Sequence, residues 1–364
     1  MSADLLRPPP ASPAGPTRPA GGRGYLVVGG SRANLRVHRR SAIVGVLLLV
    51  ALVVTAAVSM ITGDFPITLD RVLATLAGNG DSGEDFIVWT LRMPRLLLAV
   101  LIGAALAVAG GLFQSLTRNP LGSPDVIGFQ AGSATGALLV ILVWHGSSGQ
   151  VSLGAIVGGL VTAALIYLLA MKGGLHGFRL ILVGIGMAAM LTAANDYLIT
   201  RAKLIEAQDA AVWLTGSLNA AAWDQVLPLV LVVVALFPFA LWAARDLRML
   251  ELGDDLAGTL GVAGPRTRTV TMVVAVGLAA AATAAAGPVV FVALAAPQIA
   301  RRLVGVPGPS VLPAALTGAV LVAASDIVAQ RIVSEPLPVG VVTGVVGGIY
   351  LAWLLGRAWQ RGTA

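Results

Sequence analysis

Apolar residues in this chain do not alternate with polar ones, and they do not fall on one face of a water-soluble helix. They come in continuous runs about as long as a bilayer is thick. The hydrocarbon core of about 30 Å takes roughly 20 helical residues to cross. The runs predict ten membrane helices near residues 42–62, 91–115, 125–144, 151–171, 178–199, 225–243, 268–287, 289–304, 309–328 and 337–356. A transmembrane barrel would show alternating segments of about ten residues instead, so the fold class is an all-α integral membrane protein. The division of 268–304 rests on Gly287-Pro288, where a helix would lose a backbone hydrogen bond.

The interruptions carry the information. RMPR at 92–95 opens the second span, and RNPLGSPDVIG at 118–128 stops one helix and starts the next. WLTGSLNAAAW at 213–223 lies in a connection long enough for short surface helices. RDLRMLELGDDLAGTLGV at 245–262 is a charged excursion between two apolar runs. In it, Gly253 supplies a helix stop, and Asp254 and Asp255 place carboxylates at the start of the next helix, where its dipole favours them. Leu250, Leu252, Leu256, Leu260 and Val262 then offer apolar knobs beside that acid, the signature of a docking element. Small residues at i, i+4 spacing (Gly154 and Gly158; Gly340, Gly344 and Gly348) mark seams where helices can approach closely.

Of the 364 residues, 57% are hydrophobic and 11% charged, against about 25% charged in a soluble domain. The chain has no cysteine, which excludes disulfides and thiolate metal sites. Residues 1–41 form a Pro-rich, basic stretch expected to be a disordered arm, 42–357 the membrane domain, and 358–364 a tail. Arg39-Arg40 resembles a twin-arginine export signal only superficially, because the following run is too long for one and further spans follow. With the N-terminus inside, only Arg71, Arg92, Arg95, Arg201, Lys203 and Arg331 of the 24 lysines and arginines fall on the outer side. The positive-inside rule therefore predicts cytoplasmic N- and C-termini and a cytoplasmic 245–262 loop. The net charge of +7 is thus placed for membrane topology, with no nucleic-acid partner expected.

Catalytic constellations are missing. His38, His145 and His176 are scattered, no phosphate-binding G-x-x-x-x-G-K-[ST] occurs, and no nucleophile stands by a base. Neither an enzyme nor a cofactor or metal site in this chain is expected. Asp125, Asp196 and Asp326 lie near span ends, where interfacial solvation accounts for them. A secondary transporter driven by an ion gradient is the alternative from another class; it calls for acids at mid-depth and inverted repeats, and neither is evident.

Six segments in order resemble a known family: RMPRLLLAVLIGAALAVAGGLFQSLTRNPLGSPDVIG, WLTGSL, LELGDDLAGTLGV, GPVVFVALAAPQIARR, ASDIVAQR and LPVGVVTGVVGGIYLAWLL. Across about residues 42–357 the chain is similar to the iron-siderophore and vitamin B12 permeases of type II ABC importers, and most similar to their ferric enterobactin branch. The resemblance implies ten spans per subunit and two permease subunits, with a heterodimer favoured over a homodimer. It further implies a cytoplasmic ATPase dimer that holds ATP and Mg, and a periplasmic or lipoprotein siderophore-binding protein. The cargo it implies is a ferric siderophore of catecholate type. Hydroxamates, mixed-ligand siderophores, haem and cobalamin stay open, because near-identical permeases carry them.

The resemblance assigns residues as well. Glu251, Leu252, Gly253, Asp254, Asp255, Leu256, Leu260, Gly261 and Val262 correspond to the helices that couple to the ATPase. Arg92, Arg95 and Arg331 correspond to residues that dock the binding protein. Asn119, Leu121, His176, Gly177 and Phe178 correspond to a cytoplasmic gate. Two departures stand out: Gln330 occupies the place of a docking arginine, and Pro297-Gln298 that of a Pro-His pair.

Overall fold

The computed structural model describes residues 25–28, 35–125, 127–170, 177–305, 308–333 and 336–362. A short antiparallel hairpin comes first, β1 (Tyr25–Val28) against β2 (Leu35–His38), with Tyr25 opposite His38 and Val28 opposite Leu35. It leads into α1 (Arg39–Ile61) and the short α2 (Leu69–Leu76). Next, α3 (Ser82–Asp85) continues through a π-helical stretch, Phe86–Arg92, into α4 (Met93–Thr117). Then come α5 (Phe129–Leu139) with a π-helical end, Val140–Trp144, and α6 (Ser148–Ala170), α7 (Gly177–Arg201) and α8 (Leu204–Leu214). The remainder comprises α9 (Trp223–Leu250), α10 (Asp254–Thr259), α11 (Gly264–Ala286), α12 (Val292–Val304), α13 (Val311–Arg331) and α14 (Val339–Gly362).

Each of the ten expected spans has a helical counterpart in order. Among the described residues, seven helices are long and apolar enough to cross a membrane, and Phe129–Trp144 and Val339–Leu354 are shorter apolar stretches. The chain does break at Gly287-Pro288: α11 ends at Ala286 and α12 begins at Val292. The eighth expected span is corrected in kind, because the 13 residues of α12 rise about 20 Å, less than the hydrocarbon thickness. The hairpin corrects part of the disordered arm. YLVV and LRVH are rich in β-branched and aromatic residues around a Gly-Gly pair, a hairpin signal that the surrounding prolines obscured. Residues 1–24 and 29–34 lie outside the described residues.

At the centre runs α4, packed on α9, α11, α12 and α13. Leu98, Ile102, Leu106, Leu112 and Phe113 are fully buried along it. A helix surrounded by protein rather than lipid needs close backbone approach, since apolar side chains gain little over lipid contact. Gly110 supplies it: a Cβ there would lie inside the contact radius of the Ala293 carbonyl oxygen on α12. Gly103 on α4 and Gly318 on α13 meet in the same way. The Gly154/Gly158 pair sits on a seam with α5, facing the backbones of Gly136 and Gly132.

Long-range side-chain bonds gather at the two ends of the bundle. One end, rich in arginine, joins Arg40 to the carbonyls of Leu303 (2.8 Å) and Arg302 (3.3 Å), and Arg118 to the end of α9. The opposite end joins Trp223 Nε1 to the Trp89 carbonyl (2.8 Å) and Arg331 to the Gly63 carbonyl (2.9 Å). These two ends match the two sides that the charge census separates.

Candidate functional site

At the arginine-rich end, α9 runs beyond its apolar stretch because ARDLRML, apart from Asp246, is made of good helix formers and keeps Leu247 and Leu250 on the buried face. Gly253, at φ 115°, ends it in a conformation that other residues rarely adopt. Asp254 and Asp255 then open α10, whose Ala257 is fully buried and anchors the helix. Gly261, at φ 84°, turns the chain toward α11, which begins with Gly264-Pro265. Leu252, Leu256 and Leu260 are 62%, 50% and 59% exposed. Glu251, Asp255 and Gly261 are exposed beside them, and Val262 is half-buried.

Asp254 behaves differently from its neighbour Asp255. Arg268 Nη2 donates to both of its carboxylate oxygens, at 2.8 and 2.7 Å, and Arg118 Nη2 donates to Oδ1 at 3.1 Å. The hydrogen bonds from Arg268, aided by the charges of Arg268 and Arg118, hold its carboxyl below the usual carboxylate range. Expected as a contact for a partner, Asp254 is already bonded to its own chain.

The 118–128 loop lies against this element. Asn119 shapes it, accepting the Leu121 N–H on its side chain (2.9 Å) and the Gly122 N–H on its carbonyl (2.9 Å). Gln298 donates to the Pro120 carbonyl (2.6 Å), so the residue at the expected histidine place pins the loop to α12. Gln114 donates to the Leu294 carbonyl (3.0 Å) and accepts from Arg301 (2.6 Å). Leu121 is 41% exposed. A cavity of about 580 Å³ opens here, lined by Gln114, Arg118, Asn119, Pro120, Glu251 and Arg301. Of the second expected gate segment, His176 lies outside the described residues, and Gly177 and Phe178 form the first turn of α7.

At the opposite end, the three arginines expected to dock a partner part company. Arg92 is buried and donates to the carbonyls of Met60 and Phe65, bracing the turn after α1. Arg95 forms a bidentate pair with Asp326 (Nε and Nη2 each at 2.9 Å) and also reaches Asn219 Oδ1 at 3.1 Å. Asp326 is 1% exposed and accepts a further bond from Gln330 (2.8 Å). Interfacial solvation therefore does not account for Asp326; a buried ion pair does. Asn219 also donates to the Pro336 carbonyl (3.2 Å), which ties two loops to the pair. Only Arg331 keeps an exposed side chain.

Sequence reasoning missed Asn219, Asp326 and Gln330 as a unit. The one available signal was their clustering beside motifs already noted. Within the chain, the glycines of the expected α14 seam have different neighbours. Gly340 packs on the Thr215 carbonyl and Gly347 on Phe291, whereas Gly344 only touches Val290 at 3.5 Å and Gly348 faces open space. Among the described residues, no three His, Cys, Asp or Glu side chains gather as metal ligands would.

Residues 47–357 match the FecCD transport family. The chain is 45% identical over 320 residues to the ferric enterobactin transport system permease protein FepG of Escherichia coli, covering 88% of this chain and 97% of that one. It is 35% identical over 317 residues to the iron(3+)-hydroxamate import system permease protein FhuG of Bacillus subtilis, covering 84% and 94%. Among solved structures, an inward-facing metal-chelate type ABC transporter superposes with a TM-score of 0.79 at 26% identity, covering 87% of this chain and 99% of that one. Helical segments in the expected order, exposed leucines on the 245–262 loop and a family match across nearly the whole membrane domain lead to one assignment: the chain belongs to the FecCD transport family.

Proposed function

We propose that this chain is a permease subunit of an ATP-driven importer that carries a ferric siderophore, of catecholate type, inward across the cytoplasmic membrane. The observation that carries the mechanism is the α10 element. Three large leucines stand exposed on a loop between membrane helices, in a chain with no phosphate-binding loop of its own. Such a surface needs a protein partner, since water disfavours clustered exposed leucines, and an ATPase dimer is the partner that supplies the missing chemistry. The preference for catecholate rests on the FepG likeness; the FhuG likeness makes a hydroxamate the second reading.

In this reading both termini are cytoplasmic, a second permease subunit completes the pathway as a heterodimer, and a siderophore-binding protein docks on the outer end. Arg331 is the candidate for that docking, because its side chain is exposed while it donates to the Gly63 carbonyl, whereas Arg92 is buried and Arg95 is paired with Asp326. A charged rim contact of this kind steers encounter more than it adds affinity. The permease makes and breaks no covalent bond. It offers two arrangements of its helices, and nucleotide on the partner biases one over the other through α10.

The test is uptake of ferric enterobactin into proteoliposomes holding the permease pair and ATPase, with ATP inside and loaded binding protein outside. ATP-dependent accumulation is the expected result. The pair Leu256→Asp and Leu260→Asp should release the ATPase and abolish uptake. Accumulation that persisted without the ATPase and followed an imposed proton gradient would establish the secondary-transporter alternative in its place.

A further inference from the structure

The gate loop and the coupling helix share a single carboxylate. Arg118 has a left-handed backbone (φ 50°), which stops α4 and turns the chain into the 118–128 loop. Its guanidinium crosses to the end of α9, donating to the Leu250 carbonyl at 2.6 Å and to Asp254 Oδ1 at 3.1 Å. From the other side, Arg268 near the start of α11 grips both oxygens of Asp254. Four helix ends thus converge on the first residue of α10. Leu252, Leu256 and Leu260 remain exposed on the same element.

We propose that Arg118 is a positioning residue that transmits displacement of α10 to the gate loop, with Asp254 as the joint between them. This rests on reading α10 as the face that meets the ATPase and the 118–128 loop as the cytoplasmic gate. The loop is suited to move as a piece. Asn119 locks its first turn through Leu121 and Gly122, and Arg118 is covalently the residue before Asn119. On the far side the Gln298 side chain holds the loop's first turn to α12 through the Pro120 carbonyl, and Ser123 and Ile127 further along are buried. A pull on Arg118 therefore acts directly on the segment carrying Asn119 and Leu121, against the hydrogen bond from Gln298.

The alternative is that Arg118 merely caps α9 through Leu250. Energetics separates the two. The Arg118 and Asp254 side chains are 54% and 56% exposed, and an ion pair in that setting adds little to folding. What the bond adds is a mechanical constraint, so its loss uncouples the machine without unfolding it.

The natural chain contains no cysteine, so Leu121→Cys introduces a single reporter on the loop. In the reconstituted complex two quantities are read: ferric enterobactin taken up per ATP hydrolysed, and maleimide labelling of the cysteine with and without ATP and vanadate. Arg118→Ala should keep the complex assembled and ATP hydrolysis within about twofold. It should lower uptake per ATP by about tenfold, within the usual range of coupling between sites, and flatten the nucleotide dependence of labelling. Asp254→Asn should lower uptake per ATP similarly, and the double variant should be no worse than either single. Arg118→Lys, which can reach Asp254 without also holding Leu250, should recover part of the loss. Wild-type uptake per ATP with nucleotide-dependent labelling in Arg118→Ala overturns the proposal. If Leu256→Asp with Leu260→Asp leaves the ATPase bound, the reading of α10 itself has failed. If that pair releases it while Arg118→Ala behaves as wild type, only the joint has failed.

Discussion

Replacing Arg95 by methionine should be among the most destabilising single changes available at the outer end. Asp326 is 1% exposed, and of the bonds it accepts, all but the one from Gln330 come from the Arg95 guanidinium. Methionine preserves most of the volume but leaves a buried carboxylate with one neutral donor. Breaking a buried pair from one side costs about 3–5 kcal/mol. Arg95 retains 18% side-chain exposure, which lets some water reach the orphaned acid, so the lower end, about 3 kcal/mol, is expected. The same reasoning gives the double variant Arg95→Met with Asp326→Leu a loss within about 1 kcal/mol of wild type, because no charge remains to be desolvated. The assay is reversible unfolding in mixed detergent micelles, followed by the fluorescence of the seven tryptophans. Wild type, both singles and the double form a complete cycle. A loss under about 1 kcal/mol for Arg95→Met, or a double variant as damaged as the two singles combined, would refute the claim that desolvation of Asp326 governs this site.

Two further outcomes follow from the packing and from Asp254. Gly110→Ala should cost about 3 kcal/mol or more, because its methyl meets the Ala293 backbone, which cannot step aside as a side chain would. Gly111→Ala, whose nearest neighbour is Pro297 Cβ at 3.4 Å, should be neutral or stabilising; equal effects in the same unfolding assay would sink the close-approach account. Because Arg268 and Arg118 hold the Asp254 carboxyl below its ordinary 3.8, its contribution is complete above that pH and is lost only as pH falls through the lower folded value. Uptake per ATP in wild type should therefore match at internal pH 5.5 and 7.5, with Asp254→Asn equally impaired at both. A wild-type defect at pH 5.5 that Asp254→Asn does not share would contradict this.

The order of the apolar helices was legible because hydrocarbon demands continuous apolar runs, and no soluble fold imitates that. Boundaries slipped where helices leave the hydrocarbon. α9 continues to Leu250 and the helix before α4 starts at Ser82, because polar helix formers and caps take over from apolarity there. The second case could have been read: Asp81 and Glu84 form a capping box, each side chain accepting the other's backbone N–H. The short α10 with its exposed leucines was legible for a related reason, since the glycines, aspartates and leucines of 251–262 are local signals. Which outer arginine stays exposed was not. Arg95 finds its acid 231 positions away, and Arg92 bonds backbone carbonyls, of Met60 and Phe65, which no residue type advertises. Close-packed glycines divide similarly: a spacing rule selects Gly340, Gly344 and Gly348, but the neighbour's position selects Gly340 and Gly347.

Pro297, inside α12, has a mechanical consequence. Its missing N–H leaves the Ala293 carbonyl without a helical donor, and that oxygen is the atom against which the bare Cα of Gly110 is pressed. Prising α12 from α4 would expose the carbonyl to hydrocarbon, where an unsatisfied backbone group costs several kcal/mol. Together with the Gly103–Gly318 crossing, this welds α4, α12 and α13 into one stiff frame. Any movement between the two arrangements of the subunit has to be taken up outside that frame, in the elements that hinge on it.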